Sequence, residues 1–212
     1  MLFRSLEHVV PIGMRTLRAV HAGSNWNTPV AGTDNGYLLA MRRTVSEGRI
    51  FNDSELRNGA GVCLLGPTVR DKLFGAGDAV GASIRIQNLA CRVVGVLAGK
   101  GNSLGEDQDD IVLMPIRTYQ RRIAGNTDVV AILLSASPMA VTAQVKRDVE
   151  LLMRERRRIA PGEEDDFSVL DVTQLGQTLA STTGLLTNFL SAVAGISLLV
   201  GGIGIMNIML VS

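Results

Sequence analysis

The hydrophobic and polar positions of this 212-residue chain separate a mixed first part from a strongly apolar end. From Val172 to Ser212 the sequence contains no Asp, Glu, Lys, Arg or His. Within it, Phe189–Val211 has only Ser191, Ser197 and Asn207 as polar side chains. A helix over that run spans about 35 Å, and the hydrocarbon core of a bilayer is about 30 Å thick. We therefore expect a transmembrane helix there; a buried helix of a soluble protein is the alternative.

Before this run, short apolar stretches alternate with turn residues, which is typical of a mixed domain of strands and helices. Ala82–Gln87 and Ala90–Leu97 predict the two strands of a hairpin, with its turn at Asn88-Leu89. In the first strand, the apolar Ile84 and Ile86 alternate with the polar Arg85 and Gln87. The other predicted elements are short strands with turns over Arg15–Met41, a helical turn over Tyr37–Met41, a helix start at Asn52, a buried strand over Gly61–Gly66, a helix from Pro67 to Phe74, a strand over Ile111–Met114 and a helix from Pro115 to Ala124.

The last segment before the apolar end predicts a β-α-β unit. Asp128–Ser135 is apolar and β-branched, and Phe167–Val172 is the second predicted strand. Between them, Ser137-Pro138 is a good helix start. The helix that follows places its apolar residues on one face, at amphipathic spacing: Val141, Val145, Val149 and Leu152.

Composition narrows the classes of function. Lys and Arg total 21 and Asp and Glu total 20, so no basic face for nucleic acid is expected. The first eleven residues contain Arg4, Glu7 and His8, which argues against a second membrane span at that end. A single anchor after a long polar-to-mixed stretch is unusual, so we expect the chain to be a fragment, truncated at both ends.

Two glycine-rich segments resemble nucleotide-binding loops only superficially. Gly75–Gly81 follows a predicted helix and precedes a strand, whereas a phosphate-binding turn needs the reverse order. Gly99-Lys100-Gly101 lacks the spacing and the Ser or Thr of a Walker A loop. We therefore expect no nucleotide cofactor and no ATPase or other enzymatic activity in this chain itself.

The remaining polar candidates favour structural roles. Cys63 and Cys91 fall in apolar strands, which favours buried thiols, and the sequence leaves a disulfide between them open. The acidic runs Glu106–Asp110 and Glu163–Asp166 favour solvated loops, with a loop cation site as the alternative. We expect no catalytic, metal-binding or cofactor-binding residues.

The apolar run also contains small residues at helical spacing, through which a second helix could approach closely. The predicted helix-packing residues are Ser191, Gly195, Ser197, Gly201, Gly202 and Gly204.

Several segments carry a family likeness. Ile196–Ser212 resembles the second transmembrane helix of MacB-type ABC transporter permeases, which belong to the FtsX-like superfamily. Weaker segments in the same order resemble the periplasmic core domain of that family: Glu47-Gly48-Arg49, Leu73-Phe74-Gly75, Val80-Gly81, Val93–Val96, Gln108-Asp109-Asp110, Gln120-Arg121-Arg122 and Arg158–Phe167.

This resemblance implies an α+β fold. It divides the chain into a partial first half of a porter-like subdomain (1–37), a β-rich sabre-like insert (38–125), the second, β-α-β half of the porter (126–171), and a stalk with one long transmembrane helix (172–212). It also implies the bacterial inner membrane as location, with residues 1–171 mostly on the periplasmic side.

The implied function is that of a permease subunit of an ABC-type efflux transporter. Implied partners are a second permease copy, an ABC ATPase domain or subunit, a periplasmic adaptor protein with an outer-membrane channel, and membrane lipid. The alternative is an FtsX-like signalling permease that controls a periplasmic cell-wall hydrolase. The residues identify neither the substrate nor whether the ATPase is fused to the permease.

Overall fold

The structure, a computed structural model, describes residues 6–103, 105–136, 142–160, 162–171 and 181–198. The chain forms two compact units, Met1–Ala140 and Val141–Ser212, each with its own internal contacts. Its fold is mixed α+β, as the sequence predicts. The predicted boundaries at residues 37, 125 and 171 stay a prediction.

The strands of the first unit form one mixed sheet and a small separate ribbon. They are β1 Leu6–His21, β2 Ser24–Thr33, β3 Val45–Gly48, β4 Val62–Leu65, β5 Ser83–Ile86, β6 Leu89–Leu97, β7 Asn102–Ser103, β8 Glu106–Asp107, β9 Val112–Pro115 and β10 Ala131–Ala136. The order in the large sheet is β10-β1-β2-β9-β4-β6-β3, β5 pairs with β1 and β6, and β7 and β8 form the ribbon. The pairs β2–β9 and β4–β6 are parallel.

Helices connect strands of the first unit, and two further helices lie in the described part of the second unit. They are α1 Gly36–Ala40, α2 Asp53–Asn58, α3 Pro67–Phe74, α4 Ile116–Tyr119, a π-helical turn Gln120–Ala124 directly after α4, and α5 Thr142–Arg157. Residues 181–198 form a further helix, here called α6.

Several local predictions are confirmed. Pro67 is the first residue of α3, where its missing N–H costs nothing. At the start of α2, the Glu55 carboxylate accepts a hydrogen bond of 2.8 Å from the Asn52 amide. The hairpin β5–β6 forms as predicted, with its turn at Gln87-Asn88, one residue before the predicted Asn88-Leu89.

The first hairpin differs from the prediction of short strands. β1 and β2 pair without interruption from Gly13 opposite Gly32 to His21 opposite Ser24. Only Ala22 and Gly23 form the turn, with φ of 44° and 90°. The long pairing places Gly32, which resembles a turn residue in sequence, within β2, one residue before its end.

A tyrosine explains the two glycines in this hairpin. A Cβ on Gly32 would lie 2.3 Å from the Cβ of Tyr119, and one on Gly13 would lie 2.4 Å from the ring. Tyr119 is buried, and burial raises its pKa. Gly13 and Gly32, opposite each other in the sheet, therefore form a slot that holds the end of α4.

Apolar clusters cover both faces of the sheet. Because successive residues of a strand point to opposite faces, β4 supplies Cys63 and Leu65 to one cluster and Val62 and Leu64 to the other. All four residues are buried. The uninterrupted apolar run of β4 is thus explained by burial on both faces, which confirms the predicted buried strand.

The second unit confirms the predicted helix but not the strand after it. In α5, Val145, Val149 and Leu152 are half-buried, and Val141 lies outside the described residues. The strand predicted over Phe167–Val172 is wrong: residues 167–171 have no strand structure, and Val172 is not described.

Candidate functional site

The predicted helix-packing residues fall only partly in the described structure. Ser191, Gly195 and Ser197 lie in α6 and are exposed; Gly201, Gly202 and Gly204 lie outside the described residues. Ser191 and Gly195 are one turn apart and share a face. A Cβ on Gly195 would meet no atom within 4 Å. The proposal that these residues pack a second helix therefore stays a prediction.

α6 presents an apolar surface along its whole length. Its large side chains are 45–80% exposed: Leu185, Leu186, Phe189, Leu190, Val193, Ile196 and Leu198. Within the ranges that the structure covers, no helix reaches the combined length and hydropathy of a membrane span.

The hydroxyl groups of α6 do little to make this surface polar. Thr187 Oγ1 donates to the Thr183 carbonyl at 2.9 Å, and Ser197 Oγ donates to the Val193 carbonyl at 2.9 Å. Such bonds to the preceding turn satisfy the hydroxyl within the helix itself. The exposed surface of α6 therefore consists mainly of hydrocarbon, and surfaces of this kind mark contact with protein or lipid.

The Gly99-Lys100-Gly101 loop binds a carboxylate of its own chain. The Asp109 side chain accepts hydrogen bonds from the Lys100 amide at 2.8 Å and from the Gly101 amide at 2.9 Å. The Lys100 ammonium donates to the Met41 carbonyl at 3.0 Å. These groups close the loop internally, consistent with the sequence argument against a nucleotide site.

A buried arginine holds the same loop from the other side. Arg43 Nη2 donates to the Gln108 carbonyl, and Nη1 lies 3.8 Å from Asp109 Oδ1. The Arg43 side chain is only 3% exposed. A buried charge needs a nearby opposite charge, so Asp109 is the group that makes this arginine tolerable.

The acidic runs also act within the chain. Asp107 accepts a hydrogen bond from Thr68 Oγ1 at 2.7 Å, and this bond lowers the pKa of the carboxyl. In the second unit, Arg154 pairs with Asp165, and Arg157 pairs with Asp166 at 2.5 Å. These pairs tie residues 162–171 to the end of α5. In the described parts of the chain, no three His, Cys, Asp or Glu side chains are grouped to hold a metal ion.

The two cysteines are free thiols in this structure, and both are fully buried. Burial raises the pKa of Cys63, and contact with the Cys91 thiol raises it further. Both effects keep the Cys63 thiol protonated and weakly reactive. This agrees with the interpretation of buried thiols.

The Gly75–Gly81 segment keeps the order that argued against a dinucleotide loop. Gly75 ends α3, and β5 begins at Ser83. The segment follows a helix and precedes a strand, so no helix begins directly after it. A phosphate-binding turn is therefore excluded at this position.

One cavity was not predicted. It has a volume of about 310 Å³ and lies beside the π-helical turn, lined by Arg117, Gln120, Arg121, Gly125, Asn126 and Thr127. In sequence, the signal was two arginines four residues apart before a Gly-Asn turn. That pattern alone does not show whether the arginines already pair with carboxylates, and so the cavity could not be inferred.

Comparison with known proteins places this geometry in a family. The model of the MacB-like periplasmic core domain matches residues 2–152. A macrolide export ATP-binding/permease protein MacB of Syntrophobacter fumaroxidans is 34% identical, over 95% of this chain and 36% of that protein. The MacB of Chlorobaculum tepidum is 38% identical, over 98% and 32%. The pyoverdine export ATP-binding/permease protein PvdT of Pseudomonas entomophila is 33% identical, over 97% and 31%.

Two solved structures share the fold. The periplasmic region of MacB from Actinobacillus actinomycetemcomitans aligns with a TM-score of 0.70 over 83% of this chain and 77% of that one, at 16% identity. The extracellular domain of the transporter YknZ from Gram-positive bacteria aligns with a TM-score of 0.65 over 79% and 82%, also at 16% identity.

The chain spans about a third of the length of the curated relatives named above. The family model matches residues 2–152, which is more than half of the chain. The chain belongs to the MacB-like periplasmic core domain family.

Proposed function

We propose that this chain is part of the permease subunit of an ABC-type efflux transporter in the bacterial inner membrane, with residues 1–171 mostly on the periplasmic side. The observation that supports this proposal most strongly is that the exposed apolar helix α6 follows the family match over residues 2–152. Two of the named relatives are called macrolide exporters and one a pyoverdine exporter. These differing names support export as the shared function and leave the substrate as a macrolide, peptide or lipid-like molecule.

The proposed role is mechanical. Residues 1–171 form the periplasmic body. Its sabre-like insert comprises residues 38–125, and the two halves of its porter-like part comprise residues 1–37 and 126–171. Residues 172–212 are the stalk and transmembrane helix that transmit motion between membrane and periplasm. The absence of proline and of charge over this stretch supports a continuous apolar helix.

ATP hydrolysis is assigned to another domain or subunit, so this chain has no enzymatic step of its own. Proposed partners are a second permease copy, the ABC ATPase, a periplasmic adaptor with an outer-membrane channel, and lipid. The exposed leucines and phenylalanine of α6 support the contact with lipid or with a second helix.

The test is export by the intact transporter. A Gly-Pro insertion after Ser181 interrupts the continuous helix proposed for residues 172–212 and should abolish export while ATP hydrolysis continues. The matched control is the same insertion after Gly23, in the exposed turn of the β1–β2 hairpin. Export at the original rate by the Ser181 insertion would contradict the proposed coupling.

Affinity purification of the intact permease tests the class of function. Recovery of an adaptor and an outer-membrane channel supports export. Recovery of a cell-wall hydrolase instead would favour the FtsX-like signalling alternative and overturn the exporter proposal.

A further inference from the structure

The cavity beside the π-helical turn is open to solvent, and the residues around it are packed and hydrogen-bonded within the chain. Tyr119, directly before the turn, sits in the slot formed by Gly13 and Gly32. Thr118 Oγ1 donates to the Ala60 carbonyl at 2.7 Å. On the other side, Gln120 Nε2 donates to the Thr127 carbonyl at 2.9 Å. The helix end and the following loop are thus held in place without any ligand.

The turn itself is unusual. The Gly125 amide donates to the Gln120 carbonyl at 2.9 Å, five residues earlier, and Gly125 has a φ of 73°. π-helical turns are rare and are frequently found at functional sites. Here the wide turn is followed directly by the cavity loop.

Within the part of the chain that the structure describes, the two arginines of the cavity have no carboxylate partner. Some arginines of the described chain pair with carboxylates, for example Arg49 with Glu55 at 2.7 Å and Arg70 with Asp71 at 2.8 Å, and others, such as Arg18, do not. Arg117 instead donates to the Arg57 carbonyl at 2.8 Å. Among the described residues, neither Arg117 nor Arg121 forms an ion pair with a carboxylate.

A third donor lines the same cavity. Asn126 Nδ2 donates to Asp128 Oδ2 at 2.7 Å, and its side-chain amide carries a second N–H. The Asn126–Asp128 bond also engages Asp128, the acidic residue that follows the loop. The residues that line the cavity therefore include two arginines and an asparagine with a further amide N–H.

We propose that this cavity is a binding site for a small molecule carrying a phosphate or carboxylate group. Guanidinium groups bind such oxyanions through paired N–H donors. A volume of about 310 Å³ lies at the lower end of the range for small-molecule sites and suits a compact anion. The site lies in the first unit and does not depend on the assignment to export.

The test is a titration of the 212-residue chain in uncharged detergent, followed by two-dimensional NMR of backbone amides. Inorganic phosphate and citrate are the two probes, and sodium chloride keeps the ionic strength constant. We expect saturable shifts of the Gly125, Asn126 and Thr127 amides. A response to phosphate alone, to citrate alone or to both supports the site and identifies the oxyanion class.

The double variant Arg117→Gln/Arg121→Gln should bind about tenfold more weakly or worse, because both charged donors are removed. The matched control is Arg18→Gln, which changes an exposed arginine outside the cavity lining and should leave the affinity unchanged. Should the double variant lose its dispersed β-sheet amides, Arg121→Gln alone provides the comparison, and it should still weaken binding.

Shifts that increase linearly without saturation would mean an adventitious ion only and would overturn the proposal. Equal affinity of the folded arginine variants and of the Arg18→Gln control would overturn it as well. Neither result bears on export, so the site and the proposed function fail independently.

Discussion

The two units of the chain bury their apolar residues to very different extents. In the first unit, both faces of the sheet are covered, and Leu64, Leu65 and Leu113 are fully buried. In the second, no described residue is buried, although α6 carries a continuous series of large apolar side chains. The apolar residues of the first unit thus stabilise its own fold. Under the proposed function, the exposed apolar side chains of α6 contact lipid and neighbouring helices instead.

The strongest test of this contrast is leucine truncation in each unit. Leu65→Ala should lower the free energy of unfolding of the first unit by about 2–5 kcal/mol, because Leu65 is fully buried and leaves a cavity. Trp26, the one tryptophan of the chain, packs against the same cluster and reports the transition by fluorescence in urea. The matched control, Leu190→Ala at a side chain 65% exposed, should change that value by less than about 0.5 kcal/mol. Equal effects of the two variants would show that the units do not differ as described.

Glycine-to-alanine substitutions test the same contrast in packing between the two units. Gly32→Ala should cost about 1–3 kcal/mol, because its new Cβ would lie 2.3 Å from Tyr119. In α6, Gly184→Ala meets nothing within 4 Å and should leave the Trp26 transition unchanged.

A double-mutant cycle at Gly13 tests the same slot. A Cβ on Gly13 would lie 2.4 Å from a ring atom of Tyr119, and Tyr119→Ala removes the ring. Gly13→Ala should therefore cost clearly less in a Tyr119→Ala background than in the wild-type chain. An undiminished cost in that background would argue against the slot and for a backbone effect.

The sequence predicted well those elements whose local pattern of apolar and polar residues matches their burial in the folded chain. β4 is buried on both faces and is uniformly apolar, and α3 begins at Pro67. The hairpin β5–β6 shows its alternation directly, with Ile84 and Ile86 buried between exposed residues. In these elements local propensity and tertiary packing agree.

The failures arose where a distant residue determines the local structure. Gly13 and Gly32 lie in strands, and they are glycines because Tyr119 occupies the space that a side chain would need. Nothing near them in sequence indicates this. Residues 167–171 look like a strand in sequence but have no strand structure, because a strand also needs a hydrogen-bonding partner, which the local sequence does not show. The arginine cavity was missed for the same reason, since the absence of ion pairs is a property of the folded chain.

A third prediction tests whether the exposure of α6 determines its behaviour in solution. Leu186→Gln/Leu190→Gln removes two large apolar side chains one turn apart, 59% and 65% exposed. We expect less partitioning of the chain into a detergent phase, with the urea midpoint reported by Trp26 unchanged. The matched control is Val9→Gln, which removes an exposed side chain of the first unit and should leave the partitioning unchanged. A shift of the Trp26 midpoint in the α6 variant would mean that α6 supports the first unit.

The smallest expected effect is a pH dependence confined to the first unit. The hydrogen bond from the Arg49 guanidinium at 2.7 Å lowers the pKa of Glu55 below its ordinary value of 4.5. A carboxyl with a lowered pKa stabilises the fold above its unfolded pKa and loses that contribution as pH falls through the folded pKa. Glu55→Gln should therefore have the lower urea midpoint at pH 6, and the difference should close as the pH falls below 4.5. The control Glu7→Gln, at an exposed carboxylate that forms no ion pair within the described chain, should follow the wild-type curve throughout. Parallel curves for Glu55→Gln and the wild type would show that the Arg49 pair contributes nothing to the stability of this unit.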